Sequence, residues 1–133
     1  MIKLFIGGKG SGKTKTLIEL SNNAANTSKG SVICIEKGSK LKHEITYKAR
    51  LIDTDSYAIA DAEALFGFIA GILASNSDIT DIFVDSALKI VGGDVAALEV
   101  MLAKLKNISD DVNLVMTVSI AVDECPEGIK AYA

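Results

Sequence analysis

Four glycines within six residues, at positions 7, 8, 10 and 12, separate an apolar run from a stretch with helical spacing. Glycine weakens helix and strand interiors alike, so this cluster demands a loop. The Lys3–Ile6 run before it reads as a buried strand feeding that loop. From Lys13 to about Ala25, Leu17, Ile18, Leu20 and Ala24 recur with a helical period, and the turn-rich Asn26–Gly30 ends the helix. A strand that passes through a tight glycine loop directly into a helix commits the chain to an α/β arrangement.

The rest of the sequence follows suit. Ser31–Glu36 is a second apolar strand rich in β-branched residues, and Arg50–Asp53 a third. Between them Lys37–Lys48 is polar and basic, an excursion or a hairpin. Asp61–Ala74 is a helix with an acidic start at Asp61 and Glu63, which suits the positive end of a helix dipole. Asp81–Asp85 is a fourth strand, Asp94–Lys106 a helix with an acidic cap, and Asn113–Ser119 a fifth strand. The tail from Ala121 to Tyr132, turning at Pro126–Gly128, reads as a C-terminal hairpin. Strands that are nearly continuous in apolar residues and alternate with helices predict a three-layer α/β sandwich around a mostly parallel five-stranded sheet. No repeat or linker interrupts residues 1–133, so one domain is expected.

The segment Gly7-Gly8-Lys9-Gly10-Ser11-Gly12-Lys13-Thr14 satisfies G-x-x-x-x-G-K-[ST] at every required position. The chemistry needs these residue types. Without side chains, glycines let successive N–H groups turn inward as a nest for an anion. The helix that opens at Lys13 adds unpaired N–H groups and its dipole. Lys13 supplies a point charge for the β- and γ-phosphates, and Lys9, Ser11 and Lys15 complete the phosphate-binding stretch. The Thr14 hydroxyl and the Asp85 carboxylate, at the end of an apolar strand, are oxygen donors of the kind Mg²⁺ prefers. The expected cofactors are ATP and Mg²⁺.

Gly7–Thr14 together with Asp85 resembles the Walker A and Walker B pair of P-loop NTPases. The order of elements is similar to the RecA-like branch, which places two strands between the P-loop helix and the Walker B strand, as Ser31–Glu36 and Arg50–Asp53 stand here. The ending Val84-Asp85-Ser86 is a common form of Walker B in that branch. The resemblance implies that Glu36, at the end of the strand after the P-loop helix, activates the attacking water. It makes Thr117 or Ser119 the strand-five position for a polar γ-phosphate sensor. A cation acting across a subunit interface would have to be Arg50, the only arginine, or Lys130.

Composition narrows the function classes. Residues 1–50 carry ten Lys and Arg against three Asp and Glu, a balance of +7, while residues 51–133 carry four against fourteen, a balance of −10. The net charge of −3 speaks against general nucleic-acid binding, which needs a dominant basic face. The basic Lys37–Arg50 segment, with Lys40, Lys42 and Lys48, is the expected surface for a homo-oligomer or a protein partner. The apolar stretches Ala64–Ala74 and Val112–Val122 fall short of the roughly 20 residues that cross a bilayer, so no membrane span and a cytoplasmic location are expected. Cys34 and Cys125 lack the paired spacing of a zinc site and read as unpaired thiols.

A lone arginine argues against a small-molecule kinase, which gathers arginines over the transferred group, and no Asn-Lys-x-Asp reads guanine. The expected function is ATP binding with slow Mg²⁺-dependent hydrolysis, as a switch or partner-activated ATPase. A regulatory module that binds nucleotide without turnover is the alternative.

Overall fold

A computed structural model describes all 133 residues. Its centre is a five-stranded, wholly parallel sheet built from β1 (Ile2–Gly7), β2 (Ser31–Glu36), β3 (Arg50–Asp53), β4 (Ile79–Val84) and β5 (Asn113–Ser119), in the order β1-β5-β4-β2-β3. The helices are α1 (Lys13–Thr27), α2 (Ala62–Ser75), the single turn α3 (Ala87–Ile90), α4 (Val95–Lys106) and the single turn α5 (Glu127–Lys130). None is long and apolar enough to cross a membrane.

Alternation along the strands explains how this sheet is covered. Val32 and Cys34 of β2 join Leu17 of α1, Phe83 and Leu41, Ile45 and Ala49 of the β2–β3 connection in one buried cluster. Ile33 and Ile35 join a larger cluster with Leu65 and Ile69 of α2 and Leu98, Met101, Leu102 and Leu105 of α4. Successive side chains point to opposite faces of a strand, so α1 covers one face and α2 with α4 the other. Strands buried on both faces read as unbroken apolar runs, which is why they were visible in the sequence. Asp61 and Asp94 cap α2 and α4, accepting from the N–H groups of Ala64 and Ala97 at 2.8 and 3.0 Å.

One sequence expectation needs correction and another resolves between its alternatives. The C-terminal hairpin does not exist: Val122–Glu124 forms a 3₁₀ turn and Glu127–Lys130 a helical turn with Pro126 at its N-cap. Ile129 is buried in the larger cluster, and Gly128 passes so close to the Glu99 carboxylate of α4 that a β-carbon there would collide with it. Of the two alternatives for Lys37–Lys48, the structure shows the excursion and not the hairpin. The segment is a series of turns packed over α1, with Asn22 donating to the Glu44 carbonyl and accepting from the Thr46 N–H, both at 2.8 Å.

Cys34 and Cys125 are both free and buried, one in each cluster. Burial pushes the Cys34 thiol up to about 12, which makes it inert toward alkylation at neutral pH.

Two glycines should respond to alanine with opposite signs. At Gly30 a β-carbon falls onto the Asp78 carbonyl oxygen and comes within 2.7 Å of the Thr80 methyl, where Ser31 N–H donates to that same carbonyl at 2.7 Å. Gly30→Ala is expected to cost about 1–3 kcal/mol, the scale of overpacking. At Gly67, inside α2, a β-carbon meets nothing. Gly67→Ala is expected to stabilise by about 0.5–1 kcal/mol through helix propensity. Urea unfolding of the two variants checks both signs.

Candidate functional site

The C-terminal ends of β1, β5, β4 and β2 deliver Gly7, Ser119, Asp85 and Glu36 to one edge of the sheet. Gly7 stands opposite Ser119 in the β1–β5 register, and Val84 stands opposite both Met116 and Ile35, so Asp85 follows beside Thr117 and Glu36. The helix after β1 lies on one face and those leading into β4 and β5 on the other. Crevices at the carboxyl ends of strands, where connections diverge in this way, are where α/β sheets hold ligands.

The loop between β1 and α1 has the backbone that its glycines predict. Gly10 and Gly12 have φ values of 80° and 84°, which residues with side chains rarely adopt, and a β-carbon at Gly8, Gly10 or Gly12 would meet nothing within 4 Å. At these three positions the loop presents bare backbone to open space. Gly12 is the N-cap of α1, without a side-chain cap and without an acidic residue in the first turn, unlike the aspartate-capped α2 and α4. The first N–H groups of α1 are left for an external acceptor. Lys13 Nζ bridges the loop, donating to the Gly8 carbonyl at 2.9 Å and to Ser11 Oγ at 3.2 Å.

Thr14 and Asp85 stand side by side. Thr14 Oγ1 donates to Asp85 Oδ1 at 3.0 Å, and Thr117 Oγ1 donates to the same oxygen at 2.8 Å. Thr117 also accepts from the Ser86 N–H at 2.7 Å, pinning a residue that sits at φ 55°. Of the two polar residues proposed on the fifth strand, Thr117 is buried and spent on Asp85, whereas Ser119 is exposed and lines the cleft.

That cleft is a cavity of about 770 Å³ walled by Lys9, Gly10, Gly12, Lys13, Thr14 and Lys15 of the loop and α1. Lys40, Ser86, Leu88, Lys89 and Gly93 from two other connections, and Ser119 at the end of β5, complete it. Five of these twelve residues are lysines, none is acidic, and Leu88 is the single apolar one. The two ion pairs of the molecule, Lys37 with Asp55 and Lys130 with Glu127, involve none of the five. Five lysines and no acidic residue thus wall one cavity, which makes its lining positive.

Glu36 is not a surface residue: it is 3% exposed. It does not line the cleft. Its carboxylate accepts from the Lys40 N–H at 3.0 Å and the Leu41 N–H at 3.1 Å. Burial raises its pKa above the ordinary value; those two N–H groups oppose the rise and the neighbouring Asp85 and Asp53 carboxylates add to it. Through this contact Glu36 anchors the backbone that carries Lys40 into the cleft.

Sequence reasoning assigned Lys40 to a partner surface and passed over Ser86, Lys89 and Gly93. The overlooked signal was Gly92-Gly93, a pair with φ values of 73° and 78° shortly after Asp85. Arg50 opens the edge strand β3, opposite Ile33, and stands away from the cleft end of the sheet. Lys37, at the root of the basic segment, is paired with Asp55 at 2.6 Å, which leaves Lys42 and Lys48 exposed beyond Lys40.

Comparison of the sequence with models of known protein families finds no match, and no curated protein matches it significantly.

Proposed function

We propose that this chain is a P-loop protein of RecA-like element order that binds Mg²⁺-ATP in the lysine-lined cleft and hydrolyses it slowly, as a switch or partner-activated ATPase. The observation that carries this proposal is the glycine loop, open at Gly8, Gly10 and Gly12 and flanked by Lys9, Lys13 and Lys15, joined through Thr14 to Asp85.

The residues fit the ligand. Thr14 Oγ1 and Asp85 Oδ1 are two adjacent oxygen donors, enough for Mg²⁺, which keeps several waters and takes only one or two protein groups. Bound Mg²⁺ would neutralise charge developing on the phosphates. The loop N–H groups and the free start of α1 hold phosphate oxygens, and Lys13 is near enough to exchange its Gly8 and Ser11 partners for them. Glu36 is the candidate base; because it does not line the cleft, this role requires its carboxylate to turn from the Lys40 and Leu41 N–H groups toward the attacking water. With Leu88 as the one apolar wall, the phosphates supply most of the binding energy, and other nucleoside triphosphates should bind within about tenfold of ATP.

A second assignment, nucleotide binding without turnover, is favoured by one observation: the Glu36 carboxylate is already committed to the Lys40 and Leu41 N–H groups. Homo-oligomerisation or partner docking through the basic 37–50 segment belongs to the same proposal and rests on exposed Lys42 and Lys48.

Phosphate release from ATP separates these functions. Hydrolysis that requires Mg²⁺, and whose rate rises with pH through a carboxyl group titrating above the ordinary value of 4.5, is the expected result. A rate per subunit that grows with protein concentration points to activation between copies. Tight ATP binding with no phosphate release under any of these conditions selects the regulatory module.

A further inference from the structure

The cleft holds more positive charge than a triphosphate needs. A nucleoside triphosphate carries about four negative charges, and with Mg²⁺ about two remain. Lys9, Lys13 and Lys15, all on the glycine loop or the first turn of α1, already match that charge and the single negative charge of Asp85. Lys40 and Lys89 are additional. They reach the cavity from the connections after β2 and after β4, and neither has a carboxylate partner.

Both lysines stand on anchored backbone. Lys40 N–H donates to the buried Glu36 carboxylate, and Leu41, next to it, is buried in the core cluster beneath α1. Lys89 sits on α3, whose N-cap Ser86 is held by Thr117 and whose Ala87 and Ile90 are buried. Their backbone is therefore fixed by the fold on either side of the loop, while the long side chains remain exposed. Beside them Ser86, Ser119 and Gly93 also line the cavity, the Ser86 hydroxyl donating to Asp85 Oδ2 over a long 3.4 Å that a stronger acceptor can displace.

We propose that Lys40 and Lys89, with Ser86 and Ser119, form a second anion subsite in the same cleft, for the dianionic phosphate of a phosphomonoester bound alongside the nucleotide. A phosphomonoester carries about −1.5 to −2 charges at neutral pH, close to the two unmatched ammonium groups. Its three terminal oxygens accept from several directions, which suits separate lysine and hydroxyl donors; a planar carboxylate is better served by the fork of an arginine, and none is present here. The proposal deepens the nucleotide-binding assignment and rests on it for the identity of the first ligand.

The test is calorimetric. Protein saturated with Mg²⁺ and a non-hydrolysable ATP analogue is titrated with phosphoserine and, separately, with inorganic phosphate. One equivalent is expected to bind, and the Lys40→Ala/Lys89→Ala variant is expected to weaken it at least tenfold more than it weakens the analogue. Tighter binding of phosphoserine identifies a phosphorylated compound or side chain as the source, and equal binding identifies free phosphate. The proposal is overturned if the loaded protein takes up neither anion, or if the variant loses the analogue as severely as the second anion, since the two lysines would then serve the triphosphate. If wild-type protein does not bind the analogue at all, the nucleotide assignment fails by itself. Phosphate titration of the free proteins then decides the subsite: weaker binding by the variant upholds it and equal binding removes it. Circular dichroism confirms that the variant is folded, as both lysines are exposed.

Discussion

Glu36→Gln is expected to lower ATP turnover by about 10²–10⁴-fold, the usual contribution of a positioned general base, and to leave ATP affinity within a few-fold. Glutamine is the informative replacement because its amide oxygen can still accept from the Lys40 and Leu41 N–H groups, so the connection over α1 keeps its anchor. What is lost is the basicity. Single-turnover phosphate release with titrated ATP separates the two effects. A variant that hydrolyses at the wild-type rate would reduce Glu36 to a strut for Lys40. The same pair of proteins carries a stability signature. Burial raises the Glu36 pKa, so the folded state holds a proton that the unfolded chain releases nearer 4.5. Wild-type stability is then greatest below that value and declines as pH rises through the raised one. Glutamine does not titrate, so the gap in unfolding free energy should move in favour of the variant across that window in denaturant melts.

Lys13→Ala is expected to weaken Mg²⁺-ATP binding by about 1.5–3 kcal/mol, or roughly tenfold to a hundredfold. The ammonium is poised for this role because its present partners, the Gly8 carbonyl and Ser11 hydroxyl, are parts of the loop itself. Lys13 is only half-buried and belongs to neither core cluster, so the variant should fold. Titration calorimetry measures the affinity, and unchanged binding by a folded variant removes the phosphate assignment.

Sequence periodicity located all five strands, and for β2, β3 and β5 it located both ends. Of these, β2 and β5 lie inside the sheet, where burial on both faces enforces apolar residues along most of their length. The aspartates before α2 and α4 announced their caps, and the glycine loop announced its own backbone. The tail defeated the same reasoning because Pro126 and Gly128 are turn residues by propensity. What makes the segment a helical turn is packing, with Ile129 buried in the larger cluster. Lys40 and Lys89 were illegible as site residues for a related reason: they lie 27 and 76 positions beyond Lys13 (40 − 13 and 89 − 13), and only the sheet order gathers them. The burial of Glu36 was likewise invisible, because it follows from the Lys40–Leu41 turn folding back over the strand end.

The edge position of β1 has a consequence for the order in which the molecule assembles. Its one ladder partner is β5, and Ile2 pairs with Leu114 across a separation of 112 residues (114 − 2). Closing so long a loop is entropically expensive, and contacts of this kind form late. The glycine loop thus precedes in synthesis the strand that fixes its base, and gains that base only when β5 docks. A chain emerging from the ribosome would carry every residue of the loop before the strand that holds it in place had been made.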